Sequence, residues 1–305
     1  MHVLVFCAIS LIWSASYILM KKAAAAYGPL TIGSLRLLGG LLILALLARL
    51  IGRGWRPRGR AWLWLSAIVV CGYAWPYALQ PWLVARHPSG YIGMLVGFVP
   101  LATLLVQRPL LGSRPSRREW SGVLAGLACL WLIVEDGQAR DIPWPHLLLA
   151  VTVPTGYAIS NTLVKRQFAT VPTLPLTEWC LGLGALLLLP LAAGSEPLPG
   201  DDTPLLWPTL AVLILGTIGT GLAIAGLYFL IQRRGPLWAG MIAYIIPSGA
   251  LIWGWIDGEA VTGRQLAALA GILAMVALVQ RQPRMKEPTT TSSPPADEIH
   301  EQPRD

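Results

Sequence analysis

Two ionisable side chains, Arg36 and Glu178, lie inside long apolar stretches of this 305-residue chain. A charge inside a membrane is costly, so such residues commonly mark binding sites or ion pathways. Arg36 could neutralise an anionic group such as a solute carboxylate, or it could be structural and reach an interface or backbone carbonyls. Glu178 lies closer to the end of its stretch, where an interfacial position is the simpler interpretation.

Polar and aromatic residues near the middle of the apolar stretches are the other candidates for a solute-binding cavity. An aromatic-lined cavity suits an amphipathic organic solute better than an inorganic ion. Packing is the alternative role for each residue. Beside Arg36, the candidate substrate-binding residues are Trp13, Ser14, Ser16, Tyr17, Tyr73, Trp75, Tyr157, Asn161 and Tyr244.

The composition predicts the elements that must position these residues. Hydrophobic residues make up 55% of the chain and charged residues only 12%, too few to cover a soluble domain. The fold class predicted is an all-α polytopic membrane protein with ten transmembrane helices, since each apolar segment approaches the length that spans a bilayer. The segments run over residues 3–20, 30–48, 62–84, 90–111, 120–134, 146–164, 175–193, 207–231, 236–256 and 265–280.

The distribution of charge predicts the topology. Most of the 23 Lys and Arg residues fall in alternate connections, which indicates that both termini are cytoplasmic in a plasma (inner) membrane. The net charge of +8 therefore reflects contact with the lipid bilayer and not with nucleic acid. Residues 281–305 are rich in Pro, Ser, Thr and charge, which predicts a disordered cytoplasmic tail. The sequence predicts no oligomeric state.

Residue patterns typical of enzymes and metalloproteins are missing from the sequence. The four cysteines lie in apolar segments and form neither a CxxC motif nor a Cys/His cluster. Asp201 and Asp202 are adjacent and not spaced to hold a metal, and no Ser/His/Asp set converges by spacing. We therefore expect no catalytic site, no metal and no cofactor.

An internal repeat divides the chain into two units, residues 1–140 and 141–280. Gly93-Met94 and Pro100 match Gly240-Met241 and Pro247 at an offset of 147 residues. Each unit has five segments, an odd number, so the second unit must enter the membrane from the opposite side. Such inverted five-helix repeats suit alternating access around a central site, although a duplication could also have served only to build a stable bundle.

The repeated prolines, Pro100 and Pro247, predict two mid-membrane bends. A helical proline frees the carbonyl four residues earlier, at Val96 and Ala243, and in lipid that group needs another partner. We therefore predict that both helices face a wet or protein-lined interior and act as gates or hinges. Glu259 follows the second of these helices, and its counterpart at the first is Ser113, so a structural turn is predicted there.

Four features resemble the drug/metabolite transporter superfamily, EamA type. They are "LIWSASYILMKK" (11–22), Pro29 followed by Arg36, the two proline helices, and "DGEAVTGRQLAALAG" (257–271). The resemblance implies ten helices in two units and transport of a small-molecule solute. We therefore expect a secondary transporter that exports an amino acid, an amine or a drug-like solute. A flippase for lipids or lipid-linked sugars and a non-transporting scaffold are the alternatives.

Overall fold

A computed structural model describes residues 1–51, 54–87, 92–93, 95–135, 142–246, 249, 253 and 263–280, and every regular element in these ranges is helical. In residues 1–135 the elements are α1 (His2–Ser14), α2 (Ser16–Ala23), α3 (Pro29–Ile51), α4 (Ala61–Val69), the π-helix π1 (Val70–Ala74), α5 (Trp75–Val84), a 3-10 turn (Val96–Phe98), α6 (Val99–Leu111) and α7 (Arg117–Glu135).

The remaining elements begin at residue 144. They are α8 (Trp144–Gln167), α9 (Thr173–Ser195), α10 (Leu206–Gly216), the π-helix π2 (Thr217–Leu222), α11 (Ala223–Arg234), α12 (Pro236–Gly240) and α13 (Gly263–Gln280). Helices therefore follow the apolar pattern of the sequence through most of the described chain.

Six helical segments are long and apolar enough to cross a membrane. Their lengths of 22 to 29 residues match a hydrocarbon core of about 30 Å at about 1.5 Å of rise per residue. These segments are His2–Ala23, Pro29–Leu50, Ala61–Val84, Trp144–Gln167, Thr173–Ser195 and Leu206–Arg234, and shorter apolar helices cover Val96–Leu111 and Pro236–Ile246. The prediction of an α-helical membrane protein is confirmed, whereas the count of ten spans stays a prediction.

Apolar side chains cover the outside of the helix bundle as well as its core. Leu42, Leu46 and Leu50 on α3 are exposed, as are Leu186 and Leu191 on α9. A soluble protein would not present such apolar rows to water. These faces are suited to contact with lipid tails.

The helix α3 packs along α9 and against π2. The contact with π2 depends on glycines. A Cβ atom on Gly221 of π2 would lie 2.9 Å from the Gly40 carbonyl oxygen, and one on Gly216, the last residue of α10, would lie 3.2 Å from the Gly39 Cα. Small residues at a crossing let two membrane helices approach closely. This close crossing holds α3, which carries Arg36, directly against the segment that contains π2.

Two helix N-termini are capped by carboxylates. The Glu196 side chain, which follows α9, accepts hydrogen bonds from the backbone N–H groups of Leu30 (2.8 Å) and Thr31 (2.7 Å) at the start of α3. At α7, Ser116 and Glu119 form a reciprocal capping box with N···O distances of 2.6 and 3.2 Å. These bonds satisfy N–H groups that would otherwise lack partners.

Candidate solute-binding cavity

A cavity lies between helices from both parts of the chain. The residues 1–135 supply its polar and charged wall, and the residues 142–246 supply a more apolar wall. Its lining comprises Trp13, Ser16, Tyr17, Met20, Arg36, Gly72, Tyr73, Tyr77, Gln80, Val96 and Val99 from the former, and Tyr157, Ser160, Asn161, Ile224, Leu227, Tyr228, Ala239, Gly240, Ile242, Ala243 and Ile246 from the latter.

Arg36 carries the single positive charge of this described lining. Its side chain is only 4% exposed, so snorkelling to the membrane surface is wrong as an explanation. The guanidinium Nη1 donates to the Met20 Sδ at 3.1 Å, and Cζ lies 4.5 Å from the centroid of the Tyr77 ring. Its Nε is buried without a hydrogen-bond partner among the described residues. The described contacts of this charge are therefore a thioether and an aromatic face, both of them neutral.

A hydrogen-bonded chain runs beside Arg36. Tyr157 OH donates to Gln80 Oε1 at 3.2 Å, and Gln80 Nε2 donates to Tyr17 OH at 3.1 Å. Gln80 therefore links a tyrosine of α8 to one of α2. The sequence analysis missed Gln80, although its spacing of i, i+4 and i+7 with Tyr73 and Tyr77 places all three on one helix face.

Three further tyrosines of the cavity lining form a second cluster. Tyr73 OH donates to Tyr228 OH at 2.6 Å, and Tyr228 OH lies 3.9 Å from Cys180 Sγ. The Tyr73 and Tyr77 rings stack with centroids 6.1 Å apart. Tyr228 is another lining residue that the sequence analysis missed, because it lies toward the end of its apolar segment.

Trp13 closes part of the cavity wall through its indole N–H. The Nε1 atom donates to the backbone carbonyl of Gly219 in π2 at 2.8 Å. Ser16 and Asn161 also line the cavity. The structure therefore brings together seven of the ten candidate substrate-binding residues, namely Trp13, Ser16, Tyr17, Arg36, Tyr73, Tyr157 and Asn161.

The other three candidates lie outside the cavity lining. Trp75 is 43% exposed, and its indole N–H donates to Thr152 Oγ1 at 2.7 Å. It lies two residues after Tyr73 along the helix and therefore faces away from the cavity that Tyr73 lines. Tyr244 is buried and donates to the Val123 carbonyl at 3.0 Å, which ties its helix to α7. Ser14 donates to the Leu11 carbonyl and accepts from Trp253 Nε1 at 3.1 Å.

Pro100 lies in the first turn of α6 instead of in the middle of a helix. The Val96 carbonyl, which the proline was expected to leave free, accepts from Val99 N–H across the preceding 3-10 turn. The chain re-satisfies that carbonyl locally by changing helix type. Pro247 and Glu259 lie outside the described residues.

Acidic groups are missing from the described part of the cavity wall. Glu178 is half-buried on α9 but does not line the cavity. The described residues also hold no group of three or more His, Cys, Asp or Glu side chains placed to bind a metal. The site can therefore bind, orient and enclose a solute through Arg36, tyrosine hydroxyls and amides.

Known proteins resemble this chain over nearly its whole length. Residues 1–135 and 144–281 match the model of the EamA-like transporter family. The chain is 28% identical over 278 residues to "Uncharacterized inner membrane transporter YedA" of Escherichia coli (strain K12), covering 89% of this chain and 88% of the relative. It is 23% identical over 274 residues to "Protein PecM" of Dickeya dadantii (strain 3937), covering 88% of this chain and 89% of the relative.

Two further similarities concern an exporter and a solved structure. A "Probable terminal-alkyne amino-acid exporter" of Streptantibioticus cattleyicolor is 24% identical over 276 residues, covering 88% of this chain and 90% of the relative. One chain with a solved crystal structure aligns with a TM-score of 0.73 at 22% identity, covering 91% of this chain and 96% of the other. This last similarity establishes a shared fold.

Proposed function

Because the chain belongs to the EamA-like transporter family, we propose that it is a secondary transporter that exports a small organic metabolite by alternating access. The family is described as a transporter family, and two of the relatives are named as a transporter and an exporter and not as enzymes, so the protein is a membrane transporter. One relative is named as an exporter of an amino acid, which supports the proposed direction and an organic solute of that size.

The observation that carries this proposal is the cavity between the two parts of the chain. It holds a buried guanidinium, five tyrosines and two amide side chains inside an otherwise apolar bundle. Polar groups are expensive within a membrane and are usually found where a solute or water passes. A bundle that served only as a scaffold would gain nothing from enclosing them.

The proposed architecture is ten membrane helices in two inverted units, residues 1–140 and 141–280. The two segments that match the family model have nearly these bounds, which supports the division. Helices at corresponding places pack on each other, α3 on α9 and α7 on α13. Both termini and the tail of residues 281–305 would then lie in the cytoplasm of a cell with this protein in its inner membrane.

Alternating access would open this cavity to one side of the membrane at a time. The hinges we propose are places where the α-helical pattern is interrupted, namely π1, π2, and the 3-10 turn before Pro100. Such interruptions have fewer regular backbone hydrogen bonds, so less is lost when the helix bends there. Pro247 is proposed as the corresponding hinge of the second unit.

Blocking the cavity tests the proposal. A Cβ atom on Gly240, in the cavity wall, meets nothing nearer than 3.6 Å, so Gly240→Leu should fold and fill the cavity. Gly182→Leu is the matched control, because its nearest contact would be 3.7 Å and it lies outside the lining. We expect flux of amino acids or related solutes from proteoliposomes to fall with Gly240→Leu only.

Two outcomes would contradict the proposal. If wild-type vesicles move no member of a panel of amino acids, amines and drug-like solutes, transport of small metabolites is wrong. If labelled cysteines placed after residues 200 and 290 react from the same side of the membrane, the ten-helix inverted arrangement is wrong. Movement of fluorescent lipid analogues in the same vesicles would favour the flippase alternative.

A further inference from the structure

Arg36 has an incomplete set of partners for a buried charge. Its guanidinium has five N–H groups and stays protonated in proteins. The described surroundings offer it the Met20 sulfur, which is a weak acceptor, and the face of Tyr77, while Nε has no partner. Buried charges are normally paired because desolvation is expensive. Among the described residues, Arg36 therefore lacks the anion that normally accompanies a buried guanidinium.

We propose that Arg36 binds the carboxylate of the transported solute, so that small organic monocarboxylates, amino acids among them, are the substrate class. This inference rests on the proposed transport function and names what the cavity recognises. The guanidinium can bond a carboxylate through two parallel N–H groups, which fixes the orientation of the solute.

The amount of charge in the cavity favours a carboxylate over a phosphate ester. One guanidinium neutralises one carboxylate, and the described lining holds no second cation. A phosphate ester carries a charge of about −1.5 to −2 at pH 7, so part of its charge would stay buried and unbalanced. Recognition of a monoanion therefore follows from the single Arg36.

The aliphatic part of the lining would hold the rest of the solute. Ile224, Leu227, Ile242 and Ile246 form this part and present aliphatic surface. A solute with an apolar body can bury that body there while its carboxylate bonds Arg36. Asn161 lines the same cavity and makes no hydrogen bond to a described residue, so its amide oxygen is available to the ammonium of an amino acid.

An amine without a carboxylate should be rejected. Its ammonium would share a buried cavity with the Arg36 charge, and no Asp or Glu belongs to the described lining to offset the repulsion. This distinguishes organic carboxylates from the amines and cationic drugs that the transport proposal alone would also admit.

The test uses four solutes that share an isobutyl group, with purified full-length protein. Leucine, 4-methylpentanoate, 3-methylbutylamine and 3-methylbutyl phosphate are compared for flux in proteoliposomes and for thermal stabilisation in detergent. We expect the first two to be moved and to raise the melting temperature, and the amine and the phosphate ester to do neither. Equal flux or binding of the amine would overturn the inference.

Variants of Arg36 identify the residue responsible. We expect Arg36→Gln to lower carboxylate flux by about tenfold or more, since charge-assisted hydrogen bonds are lost. Arg36→Lys keeps the positive charge but loses the two parallel N–H donors, so carboxylate flux should fall by a smaller factor than with Arg36→Gln. Arg86→Gln, at an exposed arginine over the Trp82 ring outside the cavity, is the control and should change little. Unchanged selectivity for carboxylate over amine in a folded Arg36→Gln variant would overturn the inference.

The failures of the two proposals are distinguishable. Flux of neutral or cationic solutes without flux of carboxylates would uphold transport and overturn the role of Arg36. Stabilisation by the carboxylates without any flux would uphold the binding site and overturn transport. If no solute is bound or moved, both proposals are wrong.

Discussion

The two π-helical segments have the same backbone form but contribute different groups to the molecule. π1 and π2 interrupt their spans at Val70 and Thr217, which are 147 residues apart. π1 places Tyr73 in the cavity wall, where its hydroxyl bonds Tyr228. No residue of π2 belongs to the described cavity lining. π2 contributes a carbonyl oxygen and a closely packed backbone instead.

Their central glycines show the same difference. The carbonyl of Gly219 accepts the Trp13 indole N–H, whereas Gly72 lies directly against the Ser160 side chain. Trp13 and Ser160 are themselves 147 residues apart. The backbone geometry is thus shared, but the side chains that meet it differ. The contacting helix supplies the large Trp13 to π2 and the small Ser160 to π1. A common backbone can therefore support a binding wall in one place and a structural crossing in another.

The largest effect is expected at the crossing of π2 with α3. A Cβ atom at Gly221 would lie 2.6 Å from Ile43 Cγ2 and 2.9 Å from the Gly40 carbonyl oxygen. Because backbone cannot rotate away, Gly221→Ala should cost about 3 kcal/mol of unfolding free energy. Thermal unfolding in detergent measures this, with Gly182→Ala as the control. If Gly72→Ala lowers the unfolding free energy more than Gly221→Ala does, the conclusion that π2 is the structural segment is wrong.

An intermediate effect is expected at π1. A Cβ atom at Gly72 would lie 2.7 Å from the Ser160 Cβ, so Gly72→Ala should destabilise the fold by about 2 kcal/mol. Ser160→Gly removes that obstacle, and the double variant should recover at least about 1 kcal/mol as a coupling energy. Additive losses in the double-mutant cycle would show that the two segments do not meet as described.

The smallest effect is expected from the indole bond to π2. Trp13→Phe leaves the Gly219 carbonyl without its donor and should cost about 1 to 2 kcal/mol. Trp75→Phe is the control, because Trp75 is exposed and its partner Thr152 also bonds the Leu149 carbonyl. Thermal unfolding of both variants decides the point. If both variants lose the same unfolding free energy, the enclosed Gly219 carbonyl depends on its donor no more than the Thr152 hydroxyl at the bundle surface does.

The sequence allowed much of the fold and part of the site to be predicted, for physical reasons. Apolar length identified the six membrane-length helices of the described residues, since a helix satisfies its own backbone hydrogen bonds in lipid. Arg36 was found because a charge in such a segment is rare. Trp75 was misplaced because depth along a helix does not specify which face a residue occupies.

The π segments were not predictable. Neither "VCGYA" (70–74) nor "TIGTGL" (217–222) carries a breaker that distinguishes a π turn from an α turn. Their form depends on contacts with residues far away in the sequence. Gly219 contacts Trp13, and Gly72 contacts Ser160. Gln80 was missed for a related reason, because its two tyrosine partners come from α2 and α8.

The Glu196 carboxylate has a mechanical consequence for Arg36. It ends α9 and bonds the first N–H groups of α3, so it fixes the separation of these two helix ends. As long as these hydrogen bonds remain, α9 and α3 can tilt relative to each other only about the Glu196 contact. Any other tilt must move both helices together. Arg36 lies less than two turns further along α3, close to this pivot, where a given rotation produces a short displacement. Under the proposed alternating access, the guanidinium would therefore move little, while the far ends of both helices would move furthest.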